Sequence, residues 1–137
     1  MGGSAVWLVR KAQLEALRQA AEEDFTKRVI AFLKEQSADD VAGLSDEELN
    51  KRVKFGLGRA RSYGISSESS LTFFVALQFR KSPVFDRHPA IHPILTNDRV
   101  KPDERLEGIL ERVPAQTWAE VERFRDERSW KRAMEGV

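Results

Sequence analysis

Residues 59–79 read Arg-Ala-Arg-Ser-Tyr-Gly-Ile-Ser-Ser-Glu-Ser-Ser-Leu-Thr-Phe-Phe-Val-Ala-Leu-Gln-Phe. The stretch holds a helix end, a stop and a restart. Gly64 stands where a helix-terminating left-handed residue belongs. Ser66 or Ser67 is placed to cap the next helix, and Glu68 in its first turn suits the positive helix end. From Ser67 to Lys81 there is no wide polar face: Leu71, Phe73, Phe74, Val75, Ala76, Leu77 and Phe79 crowd together. A run of this kind also fits a buried strand. The cap signals and the length decide for helix, and a helix apolar all round must be enclosed by others. The stretch therefore predicts an all-α protein, a single-domain bundle of five to six helices around a central apolar helix.

Upstream, Leu14, Leu17, Ala21, Phe25, Val29, Phe32 and Leu33 recur at three- and four-residue steps. That spacing predicts an amphipathic helix from about Lys11 to Gln36 with this stripe buried. Residues 37–43 read as a polar connection. Ser45 with Glu48 three places later forms a capping box for a second helix reaching about Tyr63. Leu49, Val53, Leu57 and Ala60 point inward. Gly56 and Gly58 inside this helix each cost about 1 kcal/mol of helix propensity against alanine, which points to a tight helix crossing.

Downstream, three prolines between Pro83 and Pro93 break long structure, leaving one short helical turn from Pro89 to Leu95. Pro102 opens a helix to about Val113 with Leu106, Ile109 and Leu110 inward. Thr117 and Glu120 read as a second capping box for a last helix from Trp118 to about Met134, ending at Gly136. Its apolar residues are Trp118, Val121, Phe124, Trp130, Ala133 and Met134, with charges crowded at 125–128. The expected organisation is an N-terminal arm at 1–10, a helical core at 11–113, and a charged C-terminal helix at 114–137 that packs on the core or extends from it.

Composition limits the function classes. The 137 residues are one domain's worth of chain, and 41% hydrophobic content supports a core under a heavily charged surface. Lys plus Arg number 23 and Asp plus Glu 22, so the net charge of +1 gives no bulk support for a nucleic-acid partner. The absence of cysteine excludes disulfides, thiol catalysis and cysteine-ligated metal. No apolar run approaches the ~20 residues of a membrane span. The opening residues lack the basic start and long apolar middle of a secretory signal. A cytoplasmic protein with no membrane partner is expected.

Few residues carry chemistry. His88 and His92 stand four apart, a spacing used by helical zinc sites. Pro89 and Pro93 follow them directly and push both away from helical geometry. Loop or cap histidines bonded to nearby backbone are therefore expected, with no metal and no cofactor. The carboxylate pairs Glu22–Glu23, Asp39–Asp40 and Glu47–Glu48 lie on solvated faces or caps, so no catalytic residue is assigned and no enzyme is expected. Lys51, Arg52, Lys54, Arg59 and Arg61 give the second helix a basic side. It serves either as a nucleic-acid surface or, more simply, as a face paired with acids of the same chain. Tyr63 reads either as a core anchor with a satisfied hydroxyl or as a surface contact. Trp7, Trp118 and Trp130 lie in the terminal segments, and tryptophan is enriched among interface hot spots. They point to partner binding or self-association, or to arms packed on their own domain.

The run Arg59-Ala-Arg-Ser-Tyr-Gly-Ile-Ser-Ser-Glu-Ser, then the apolar helix, Phe85-Asp86, Leu95 and Glu104-Arg-Leu-Glu-Gly-Ile-Leu110, resembles a group of small helical proteins from type VI secretion gene clusters. The match covers roughly Leu14 to Val113. The prolines and histidines at 88–93 and the charged tail depart from the group's pattern. The resemblance implies an accessory protein, an adaptor or chaperone that helps load an effector on the secretion spike. The expected partner is thus another protein: an effector, a spike component or a toxin. Candidate contacts are Trp7, Tyr63, Gly64, Ile65, Glu68, Phe85, Asp86, His88, His92, Trp118 and Trp130. An immunity-like toxin binder and a nucleic-acid binder are the alternatives, and a homo-oligomer is open.

Overall fold

A computed structural model of the chain describes the backbone of residues 2–136 and the side chains of residues 10–136. It is all helical, with no strand among the described residues. Helix α1 spans Gly2–Gln36, α2 Ala38–Val41, α3 Asp46–Ser62 and α4 Glu68–Arg80. A 3₁₀ turn at Phe85–Arg87 leads to α5, His92–Leu95, and then α6, Pro102–Arg112. The chain closes with α7, Ala115–Glu122, and α8, Glu127–Glu135. None of these helices is long and apolar enough to cross a membrane.

The two serine caps form as the sequence requires. Ser45 Oγ accepts from the Glu48 N–H and Ser67 Oγ from the Ser70 N–H. Between them α3 ends on Gly64, at φ +86°. The Gly64 N–H donates to Arg61 O at 2.9 Å and the Ile65 N–H to Ala60 O at 3.3 Å. This pair of bonds is the Schellman closure, which needs the left-handed residue that glycine supplies.

α3 and α4 pack closely, and Gly56 is the reason. A Cβ there would fall 2.2 Å from Gln78 Oε1 and 3.0 Å from Val75 Cγ2. Gly58, one turn-face away, has nothing within 4 Å. The two glycines therefore predict opposite signs. Gly56→Ala should destabilise by about 1–3 kcal/mol through overpacking. Gly58→Ala should stabilise by up to about 1 kcal/mol through helix propensity. Urea titration of the two variants checks this, and equal shifts would contradict the close crossing.

The structure revises several expectations. There are eight α-helices rather than five or six. The 1–10 arm is the start of α1, and the 37–43 connection contains α2. The last helix is two. Asp126 starts the second by accepting from the Ser129 N–H at 2.9 Å, and the charges at 125–128 mark that break. α7 begins at Ala115 after Pro114, with no side-chain cap, so the Thr117 box does not form. The stripe of α1 is buried only from Phe25 onward: Leu14 is 47% and Leu17 66% exposed. Phe32, Leu110 and Phe124, expected inward, are also exposed. α4 is not enclosed on all sides either, since Thr72, Phe73 and Ala76 remain half-exposed.

Candidate protein-binding surface

Most of the resemblance motif gathers around one buried carboxylate. The 3₁₀ turn after α4 carries Asp86 under α3, where it is fully buried. Arg59 Nε and the Tyr63 hydroxyl, one helical turn apart on α3, both donate to Asp86 Oδ2 at 2.6 Å. Oδ1 has no donor among the described residues. Burial first, and then the bond to Asp86, push the Tyr63 hydroxyl well above the ordinary tyrosine range, so it stays a donor. Phe85, also fully buried, packs on Phe74 with ring centroids 4.9 Å apart.

α6 latches the turn that follows. Asp103 accepts from the Ser66 and Ser67 N–H groups at 2.9 and 3.3 Å. Arg105 donates to the carbonyls of Val100, Leu95 and Tyr63. The turn from Tyr63 to Ser67 is thus fixed from two sides. Neither Asp103 nor Arg105 stood out in the sequence, because each acts across about 40 residues on backbone groups.

The two histidines are held locally. His88 Nδ1 accepts from the Ala90 N–H at 3.0 Å, so the ring proton lies on Nε2, which meets Glu120 Oε2 at 2.9 Å. His92 Nδ1 faces the Asp86 carbonyl at 3.2 Å and, opposite an acceptor, is the protonated nitrogen. No group of three or more metal-ligating side chains occurs among the described residues.

The basic side of α3 is mostly neutralised by the chain's own acids. Lys54 pairs with Glu23, Arg61 with Glu22, Arg59 with Asp86, and Arg52 with Glu48 and Glu127. Arg52 is itself buried, against the Trp130 ring. Of the five, only Lys51 has no such pair among the described residues.

The candidate contact residues therefore divide. Ile65, Phe85, Asp86 and Trp130 are buried and Tyr63 is half-buried on Asp86, so these side chains build the fold. Glu68 is exposed but bridged to Arg28 at 2.7 Å. Trp7 lies outside the described side chains. His88, His92, Gly64 and part of Trp118 remain at the surface.

His88 borders an apolar groove that the sequence did not reveal. The groove holds about 290 Å³ and is lined by Val84, His88, Pro89, Val121 and Phe124, with Ser82 and Arg87 at its edges. Phe124 is 57% exposed. It is held in place rather than loose: Ser82 Oγ–H donates to the Phe124 carbonyl at 2.7 Å. Nearby, Lys81 pairs with Glu122 and lies 5.7 Å from the Trp118 ring. Pro89 comes from the proline-rich segment, and Phe124 is turned outward by the break between α7 and α8. The usable signal was the thin apolar face at 125–128.

No family model, curated protein or solved structure matches this chain.

Proposed function

We propose that the chain is a non-enzymatic protein-interaction module, a single-domain bundle built around α4. It acts in the cytoplasm as an adaptor or chaperone for a type VI secretion effector or spike protein. The observation that carries the interaction reading is the groove at Pro89, Val121 and Phe124. A solitary exposed phenylalanine is ordinary, but an aromatic ring set beside contiguous apolar walls is the anchor geometry of protein interfaces. The secretion assignment rests on the resemblance of residues 59–69, Phe85-Asp86 and 104–110. The intramolecular pairing of Arg52, Lys54, Arg59 and Arg61 favours this reading over nucleic-acid binding.

The test is affinity purification from the native host with the tagged chain and with Phe124→Asp. The expected result is a co-purifying effector or spike protein that the variant loses while its thermal melt stays unchanged. Equal recovery by both forms, or no partner with either, would contradict the proposal. Relief of a toxin's growth arrest without any effect on its secretion would mark the immunity-like alternative instead.

A further inference from the structure

We infer that the chain self-associates through a second surface: the projecting half of α1 in one copy seats in an apolar groove between α1, α4 and α6 of a second copy. Residues 10–21 are exposed on every side, so no other part of the chain covers them. They form about 18 Å of helix at the standard rise. A helix of this length without tertiary contacts is marginal in water, and this one carries Leu14 and Leu17 on one face, 47% and 66% exposed.

The receiving surface lies elsewhere on the molecule. Two shallow grooves of about 460 and 160 Å³ meet at Phe73 on the open face of α4. Phe32 of α1 flanks one side, 43% exposed, and Leu110 of α6 the other, 59% exposed. The chain's own Leu14 and Leu17 cannot reach it. Leu17 and Phe32 belong to one continuous helix and stand about 22 Å apart along it.

Charge selects the occupant. Residues 10–21 carry Arg10, Lys11 and Arg18 against a single acid, Glu15. On the receiving side, α6 carries Asp103, Glu104, Glu107 and Glu111 against Arg105 and Arg112, and Arg105 is turned onto backbone carbonyls. At the opposite rim, Arg28 is neutralised by Asp24 and Glu68. A basic leucine-bearing helix and an acid-rimmed apolar groove thus occur on one chain but can meet only between chains. Such a contact joins two different patches. It closes when two copies exchange helices reciprocally, and otherwise propagates head to tail.

Sedimentation analysis of the full chain over a concentration series tests this, with Leu14→Asp and Leu17→Asp on the helix and Leu110→Asp in the groove. All three sites are solvent-exposed, so each variant should keep the parent melting temperature. The expected result is a wild-type mass that rises with concentration and falls at high salt. Each variant should remain monomeric, and mixing Leu17→Asp with Leu110→Asp should restore a mixed dimer, since each supplies the half the other lacks. A wild type that stays monomeric throughout would overturn the inference. So would a Leu110→Asp variant that still associates, or a mixture that does not.

Discussion

Asp86→Ala is expected to lower the unfolding free energy by about 3–5 kcal/mol. The carboxylate is fully buried and receives two short bonds on one oxygen, from Arg59 and Tyr63. Removing it leaves a partly buried guanidinium and a hydroxyl without their acceptor. An unpaired buried charge costs far more than the net worth of the pair that held it. Tyr63→Phe should cost less, about 1.5–3 kcal/mol, because the Arg59–Asp86 pair survives. Chemical denaturation of the two variants, with Asp86→Asn as an isosteric comparison, gives the ordering. A Tyr63→Phe loss equal to that of Asp86→Ala would contradict the assignment of Arg59 as the carboxylate's principal counterion.

Trp130→Ala should cost a similar amount, about 3–5 kcal/mol. α8 has nine residues, too few to be stable alone. Its hold on the rest of the chain is the Trp130 ring, 3% exposed, with its centroid 4.8 Å from that of Phe79. The Arg52 guanidinium lies 4.9 Å from the same ring, and Glu127 at the start of α8 pairs with Arg52. Truncation removes a large buried aromatic and its cation–π contact together. Hydrogen exchange should then show α8 amides losing protection ahead of α3 and α4. Unchanged protection in α8 would mean that another contact docks the C-terminal segment.

The helical class was legible because local signals agreed with one another. Ser45, Ser67 and Gly64 each meet a backbone requirement within a few residues, and such requirements show in sequence. Burial of Leu49, Val53, Leu57 and Ala60 followed from the helical period. The period failed where a helix leaves the body. Leu14 and Leu17 continue the stripe of Phe25 and Val29 without a break, and nothing local marks where the covering helices stop. It failed again at Phe32 and Leu110, which border the uncovered face of α4.

The site was less legible than the fold. Tyr63, Phe85 and Asp86 stood out as a motif, but their meeting depends on a 3₁₀ turn that brings residue 86 back to α3. Sequence could not tell a core anchor from a surface contact at Tyr63, and the bond to Asp86 decides for the anchor. Phe124 read as one more apolar residue on a single long helix. The Asp126 cap splits that helix, and the split faces Phe124 outward toward Pro89 and His88.

Site-specific photocrosslinking tests the interaction reading most directly. A photoreactive phenylalanine analogue replaces Phe124 in the otherwise native chain, expressed in its own host. Irradiation should give one dominant adduct with a type VI secretion effector or spike protein. The same analogue at exposed Arg80, outside the residues lining the groove, should give none. No adduct at position 124, or the same adducts from both positions, would contradict the account.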